Sequence, residues 1–250
     1  MAKLGVVGVA DDSDVVSSGQ TQKVTDLGEL IARLAQVLSV NRSGSLLDLV
    51  DFSNGLGQVT CSVSGSGSSI QLTNDPALVH GVSALITLGA SAVNVGLIER
   101  DVLLPSAQGL GVEWWFATVQ YTNFVNFVVN YYTGAMLYEA HVAYSYQTGS
   151  LQLATTPAGS WYTVATVSLY DNSKYFSNCK LVFDPSTGCY NKLYFNGKSY
   201  LVNTVAIPAG ADARAGYIET QFTLPGRSVG IVKAALGQLL VTQGEELAVC

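Results

Sequence analysis

The stretch KLVFDPSTGCYNKLYFNGKSYLV, residues 180–202, decides the fold class of this chain. In DPSTG, proline presets a φ near −65° and glycine supplies the positive φ that such a turn needs. Asn196–Gly197 is the dipeptide typical of a two-residue type I′ hairpin. The stretch therefore predicts a meander of three antiparallel strands, near 179–184, 189–195 and 198–204. Alternation along the middle strand places Leu193 and Phe195 on the core face.

The same pattern of short apolar runs continues through most of the chain. From Ser45 onward, more than ten such runs are separated by glycine, serine, asparagine and proline signals. Strand and helix patterns do not alternate, which favours antiparallel pairing over a parallel sheet. We therefore predict an all-β, antiparallel two-sheet jelly-roll sandwich over residues 45–243, followed by a C-terminal tail over 244–250. FVNFVVNYY, residues 124–132, is apolar on both faces and is predicted to lie centrally in a sheet or under a partner.

The N-terminal part of the chain has a different sequence pattern. Residues 1–22 combine a short β-prone run, an acidic patch and a polar stretch, which predicts an extended arm. Residues 23–40 predict a short amphipathic helix, because five apolar residues fall on one helical face. These residues are Leu27, Leu30, Ile31, Leu34 and Leu38.

The composition is poor in charge. Aspartate, glutamate, lysine and arginine make up 12% of the residues, against about 25% in an average soluble domain. A surface of uncharged polar groups loses little hydration when another subunit covers it. This favours burial in an assembly, although extracellular β-proteins are also rich in serine and threonine. The net charge of −6 argues against nucleic-acid binding, which needs clustered lysine and arginine.

No stretch reaches the roughly 18 apolar residues of a membrane span. The opening MAKLGVVGVA has an apolar run at the lower limit for a signal peptide. We therefore expect synthesis in the cytoplasm without a classical export signal, and no membrane span.

The sequence offers little for catalysis, and we expect no enzyme activity, no catalytic residues and no cofactor. Sugar hydrolysis needs two carboxylates about 5–5.5 Å apart for retention, and no strand is expected to carry such a pair. Glu99 and Asp101 flank Arg100 where the run SAVNVGLI ends, and we interpret them as loop or interface charges. Neither His80 nor His141 has a nucleophile near it in sequence. His141 shares a strand face with Glu139, which suits an ion pair or a metal pair, but a solvated polar strand face explains the two residues equally well.

Metal and disulfide sites are not expected either. Asp48 and Asp51 in LLDLVDFSNG suit turn capping better than a calcium site, which needs six to eight oxygens. Four cysteines show no CxxC spacing, so zinc is not predicted; they are Cys61, Cys179, Cys189 and Cys250. Cys179 and Cys189 flank one turn, but the expected register places Cys179 opposite Tyr194. We therefore predict free thiols.

The meander also carries a family resemblance. LVFDPSTGCYNKLYFNGKSYLV, which follows WYTVA, resembles the concanavalin-A-like or laminin-G-like jelly roll. Residues 46–88 resemble the opening strands of carbohydrate-binding-module-like jelly rolls, and the likeness spans about 45–243. A jelly roll led by a DLGELxxRL helix is similar to domains of phage and virus-like structural proteins. Gln58 and Val59 stand where binding modules usually carry tryptophan after FSNG.

The first functional hypothesis is a self-assembling structural protein. The resemblance implies a capsid, decoration or tail component that lies in a virion or another extracellular assembly, with copies of itself and other virion proteins as partners. The arm could add as a strand to the edge of a neighbouring sheet. The candidate assembly contacts are Leu4, Val6, Val7, Leu30, Leu34, Phe124, Val128 and Tyr132.

The second hypothesis is a carbohydrate-binding module. Sugar rings stack on exposed aromatic side chains, and the aromatic-rich strands of this chain provide several. The candidate glycan contacts are Tyr138, Tyr144, Trp161 and Tyr162.

Overall fold

The computed structural model describes residues 16–17, 20–21, 44–78, 81–103, 109–120, 122–157, 159–169 and 174–248. The chain divides into two units, Met1–Val37 and Leu38–Cys250. In the first unit, strands β1 (Val16–Ser17) and β2 (Gln20–Thr21) pair antiparallel. In the described residues, no helix is long and apolar enough to cross a membrane.

The second unit is an antiparallel sandwich of two sheets of eight strands each. We call the first the front sheet. Its strands are β4 (Thr60–Val63), β7 (Val95–Leu103), β9 (Phe124–Tyr132), β10 (Met136–Ser145), β11 (Ser150–Ala154), β12 (Trp161–Thr166), β16 (Ala209–Ala211) and β17 (Tyr217–Pro225). The order across it is β12-β11-β10-β9-β17-β7-β4, and β16 pairs with β10. Strand β9 is central, as its two apolar faces predict.

We call the second sheet the back sheet. Its strands are β3 (Ser45–Val50), β5 (Ser69–Thr73), β6 (Ser83–Leu88), β8 (Leu110–Gln120), β13 (Ser177–Asp184), β14 (Cys189–Phe195), β15 (Lys198–Leu201) and β18 (Val232–Gln243). The order is β15-β14-β13-β8-β18-β6-β5, and β3 pairs with β18. A short 3-10 turn, Leu56–Gln58, follows β3. The predicted all-β, two-sheet antiparallel architecture is confirmed.

The predicted meander forms strands β13, β14 and β15. Asp184 pairs with Cys189, as expected, but Cys179 pairs with Phe195 rather than Tyr194. The difference arises from a bulge opposite Val182 and Phe183, which adds one residue to β14. Leu193 and Phe195 are buried in the core as predicted, and the bulge turns Tyr190 into the core as well.

Aromatic side chains from both sheets fill the space between them. Phe116 of the back sheet meets Phe127 of the front sheet edge-on at 4.9 Å between ring centroids. Trp114 lies 5.3 Å from the same ring, and Phe222 lies 5.7 Å from it. Alternation along β8, β9 and β17 brings these rings to the inner faces, so hydrophobic burial holds the two sheets together.

A buried ion pair lies on the outer face of the back sheet. Lys180 Nζ is 2.8 Å from Glu245 Oε1, and both side chains are 1% exposed. Glu113 stands directly opposite Lys180 in the ladder between β8 and β13, and it is buried too. One lysine is thus enclosed with two carboxylates.

The segment after β18 crosses this face and is fastened to it. Asn191 donates to the carbonyl of Ala248 (3.0 Å) and accepts from the N–H of the same residue (2.9 Å). Lys192 Nζ donates to the carbonyl of Glu246 at 3.0 Å. Residues 244–248 are therefore a packed part of the sandwich.

Several predictions fall on residues outside the described part. They concern the arm contacts Leu4, Val6 and Val7, the amphipathic helix over 23–40 with Leu30 and Leu34, and the side chains of His80 and Cys250. Within the described residues, the three remaining cysteines are free, as expected.

Candidate functional site

The outer face of the front sheet carries one continuous row of side chains. Trp161 pairs with Ala154, His141 with Val128, Val128 with Gln221, and Gln221 with Glu99. Ala154 and His141 lie one position beyond the last pair of the ladder between β10 and β11. Because facing residues on neighbouring strands share one side of a sheet, the row runs from β12 to β7. Five strand spacings separate its ends, which is roughly 24 Å. We call this set the polar row.

A second row lies beside the first, two residues further along each strand. Glu139 pairs with Asn130, Asn130 with Glu219, and Glu219 with Asp101. Where the two rows reach β7 and β17, Glu99, Asp101 and Glu219 place carboxylate oxygens within 4.8 Å of one another. We call these three residues the carboxylate cluster.

Amide side chains hold two members of the carboxylate cluster. Gln221 Nε2 donates to Glu99 Oε2 at 3.1 Å and to Glu219 Oε1 at 2.5 Å. Asn130 Nδ2 donates to the same Glu219 oxygen at 2.7 Å. The Asn130 Oδ1 atom is buried without a hydrogen-bond partner. Two carboxylates of this face are therefore held in place by amide donors.

Two carboxyl groups of the cluster, those of Glu99 and Asp101, have a raised pKa. Desolvation raises the pKa of Glu99, and the charges of Glu219 and Asp101 raise it further, against the lowering effect of the Gln221 hydrogen bond. The pKa of Asp101 is raised by desolvation and by Glu219, and Arg100 opposes this. Like charges are thus held close together at a cost to the folded state.

The sequence prediction for Glu99 and Asp101 requires correction. They are not loop charges at the end of a strand, because β7 extends from Val95 to Leu103 and pairs with β17 along its whole length. Arg100 points to the other side of β7, where it forms a bidentate pair with Asp48 (2.6 and 3.2 Å) and donates to the carbonyl of Gln58. The alternation of charges continues the strand instead of ending it.

This ion pair also accounts for one of the two aspartates considered for calcium. Asp48 binds Arg100, while Asp51 accepts hydrogen bonds from the N–H and the hydroxyl of Ser53, at 3.0 and 2.7 Å. The turn-capping role expected for these aspartates is confirmed for Asp51, whereas Asp48 ties β3 of the back sheet to β7 of the front sheet.

At the opposite end of the polar row, the Tyr190 hydroxyl inserts between strands β10 and β11 of the front sheet. The ladder between β10 and β11 stops at Val142 and Leu153. At the next position, the Tyr190 hydroxyl accepts from the N–H of His141 (3.0 Å) and donates to the carbonyl of Ala154 (3.0 Å). The hydroxyl of a back-sheet tyrosine thus takes the place of the direct hydrogen bond between β10 and β11 at this position, directly beneath His141.

His141 and Trp161 meet above this position. Their rings are 4.8 Å apart and nearly perpendicular. Desolvation lowers the pKa of His141 to about 4, so the imidazole is neutral at pH 7. His141 Nε2 is buried without a hydrogen-bond partner. The pair offers an aromatic surface at the edge of the polar row.

The structure separates the four aromatic residues considered for glycan contact. Trp161 is 38% exposed on the outer face, whereas the neighbouring Tyr162, 47% exposed, pairs with the core residue Leu153 and belongs to the opposite face. Tyr144 is 1% exposed, and its hydroxyl donates to the carbonyl of Val167. Tyr138 packs against the core. The outer face therefore keeps Trp161 alone of the four.

The described assembly candidates also differ in their accessibility. Phe124 is exposed at the start of β9, and Val128 is half-buried within the polar row. Tyr132 is buried: it stacks on Tyr217 at 4.4 Å, and the guanidinium of Arg214 lies 3.9 Å from its ring centroid. Tyr132 thus has its contacts within this chain.

Comparison with known proteins identifies the fold but no family. The sequence matches no protein-family model and no curated protein. Among solved structures, it resembles the conserved carbohydrate esterase of the Shiga toxin-encoding bacteriophage phi24B, with a TM-score of 0.56 and 11% identity over 80% of this chain and 99% of that one. The potassium-bound carbohydrate recognition domain of Emp46p has a TM-score of 0.51, with 11% identity over 80% of this chain and 95% of that one.

A third similar structure is an endo-β-1,4-glucuronan lyase from Trichoderma reesei, with a TM-score of 0.50 and 10% identity over 80% of this chain and 96% of that one. At these identities the likeness concerns the fold. The chain has a concanavalin-like jelly-roll fold, as the meander predicts.

The carboxylate cluster leads to a prediction about stability. Both raised pKa values mean that the folded state holds protons more tightly than the unfolded state, so the repulsion is relieved as the pH falls through the folded pKa values. Replacing Glu99 with glutamine should therefore raise the free energy of unfolding at pH 7. Because Glu99 is partly open to solvent, we expect a gain of about 0.5 kcal/mol.

Urea unfolding of the Glu99→Gln variant at pH 7 and at pH 4 measures this effect. The gain should shrink at pH 4, where the cluster of the wild-type protein has begun to take up protons. Glu246→Gln, which alters an exposed carboxylate away from the cluster, is the control. An equal change in both variants, or destabilisation by Glu99→Gln at pH 7, would contradict the proposed repulsion.

Proposed function

We propose that this protein binds glycan chains across the outer face of its front sheet. The observation that carries the proposal is the polar row, in which Trp161 and the carboxylate cluster lie at opposite ends of one line of side chains. Jelly-roll structures named for carbohydrate esterase activity and carbohydrate recognition share the fold, which supports the proposal.

The residue types suit the chemistry of a sugar chain. A tryptophan ring offers an apolar face to the C–H groups of a pyranose ring, and Trp161 is partly exposed. Carboxylates accept hydrogen bonds from hydroxyl groups, and amides both donate and accept them. The row is roughly 24 Å long, so the ligand that fits it best is an oligosaccharide rather than a single sugar.

The test compares two adjacent aromatic residues. Trp161→Ala should abolish binding to glycans that the wild-type protein retains on a glycan array, or weaken it at least about tenfold, because it removes the aromatic contact of the site. Tyr162→Ala is the matched control, because Tyr162 is the next residue, is more exposed, and faces the other way. Equal loss in both variants would contradict a site on the outer face, and so would a wild-type protein that binds no glycan.

We propose a binding role without hydrolysis. Glu219 accepts two amide hydrogen bonds and Glu99 accepts one, so both carboxylates are held as hydrogen-bond acceptors, which suits the binding of sugar hydroxyl groups. Release of reducing ends from a bound oligosaccharide, lost in Glu219→Gln, would overturn this part of the proposal.

A structural role in a virion is the second candidate. The low content of charged residues favours it, since 12% charge leaves a surface that other subunits can cover at little cost. Phe124 is exposed, and the fold is shared with a bacteriophage protein. Negative-stain microscopy of the purified protein distinguishes ordered assemblies from single molecules.

A further inference from the structure

Three loops at one end of the sandwich, over residues 64–68, 89–94 and 226–231, are joined to one another, and we call them the loop end. Asn94 joins the three loops. Its side chain donates to the carbonyl of Gly89 at 3.0 Å, and its backbone carbonyl accepts from the N–H of Gly226 at 2.7 Å. The N–H of Ser64 donates to the neighbouring carbonyl of Val95. The loop end is therefore one connected surface.

Aliphatic side chains protrude from this surface. Val93 is 82% exposed and Val229 is 74% exposed, which is unusual for residues of this kind. Ile231 of the loop end is also exposed, and so are Val63 and Val95, which adjoin it at the end of β4 and the start of β7. Packing inside the chain does not account for them, so they form an apolar patch of the type that marks an interaction site.

The charged residues around the patch are all positive. Residues 60–69, 86–96 and 222–234 contain no aspartate and no glutamate, although the whole chain has a net charge of −6. Their charged residues are Arg227 and Lys233, both partly exposed. No ion pair involves either of them in the described part of the chain. The loop end thus combines protruding aliphatic groups with unpaired cations.

The exposed aliphatic side chains and the cations together restrict which partner could bind the loop end. A symmetric dimer through this patch would bring the Arg227 and Lys233 pairs of both copies together, and like charges oppose such contact. An anionic lipid surface satisfies both features, because aliphatic side chains enter the boundary between headgroups and acyl chains while lysine and arginine bind the phosphates. We propose that the loop end docks peripherally on anionic membranes.

Co-sedimentation with lipid vesicles tests the proposal on the full chain. The wild-type protein should pellet with vesicles made of equal parts phosphatidylcholine and phosphatidylglycerol, and much less with phosphatidylcholine alone. Val93→Ser/Val229→Ser and Arg227→Gln/Lys233→Gln should each reduce the partition coefficient roughly tenfold or more, because each double variant removes one of the two attractive contributions.

Two variants elsewhere on the surface are the controls. Leu201→Ser removes an exposed aliphatic side chain, and Lys198→Gln an exposed cation, both on β15 at the edge of the back sheet. They should bind vesicles as the wild-type protein does, and all variants should keep the wild-type melting temperature. Absence of vesicle binding, or equal losses in the controls and the loop-end variants, would overturn the proposal. Concentration-dependent dimers that Val93→Ser/Val229→Ser dissociates would also overturn it and assign the patch to a second copy.

Discussion

Replacing Lys180 with methionine should lower the free energy of unfolding by about 3–5 kcal/mol, the range observed when one partner of a buried ion pair is removed. Methionine fills a similar volume, so the loss reflects charge rather than a cavity. Glu245 and Glu113 would then remain buried on the outer face of the back sheet without their cation. Such a loss is a large share of the 5–15 kcal/mol that stabilises a typical domain.

Urea unfolding monitored by tryptophan fluorescence measures this change. Lys192→Met is the matched control, since Lys192 lies on the same face and donates to the backbone carbonyl of Glu246, but remains partly exposed. We expect it to cost about 0.5–1 kcal/mol. The double variant Lys180→Met/Glu245→Leu should recover part of the loss because it removes one of the stranded carboxylates. A Lys180→Met variant as stable as Lys192→Met would show that the buried carboxylates of Glu245 and Glu113 do not need the charge of Lys180, and would contradict the prediction.

Replacing Tyr190 with phenylalanine should cost about 1–3 kcal/mol, the penalty for leaving buried backbone groups without hydrogen bonds. The hydroxyl bonds both the N–H of His141 and the carbonyl of Ala154, at the point where the ladder between β10 and β11 stops. Without it, these groups can recover their hydrogen bonds only if the two strands close up. That movement would shift His141 beneath Trp161.

The Tyr190→Phe variant therefore has two readouts, which are unfolding by urea and glycan affinity. Tyr200→Phe is the control, because Tyr200 is partly buried against the same core and no hydrogen bond of its hydroxyl occurs among the described residues. It should change stability by less than about 0.5 kcal/mol. If Tyr190→Phe matches Tyr200→Phe in both measurements, the hydroxyl does not support the site.

The fold was predictable from short-range signals. Turn chemistry at Asp184–Gly188 and Asn196–Gly197, with alternation along the strand between them, is local information, and it identified the meander and its core face. The bulge in β14 was not predictable, because an extra residue in one strand leaves the apolar pattern almost unchanged. Its consequence was that Tyr190 faces inward, toward the front sheet.

The candidate site was much harder to predict. Glu99 and Asp101 were visible as a pair, but Glu219 joins them across a ladder between strands far apart in sequence. The same holds for Trp161 and His141, which meet only because β11 lies between their strands. One sequence signal could have revealed part of the candidate site. Glu99 and Asp101 alternate with Arg100, and this two-residue period is typical of a strand whose two faces differ in chemistry.

The pairing of Lys180 with Glu245 has a consequence for biosynthesis. Lys180 is synthesised 65 residues before its counter-ion Glu245. While the chain is still emerging from the ribosome, β13 therefore carries a cation that cannot yet be enclosed. The back sheet should therefore close only after Glu245 has been synthesised and has left the ribosome.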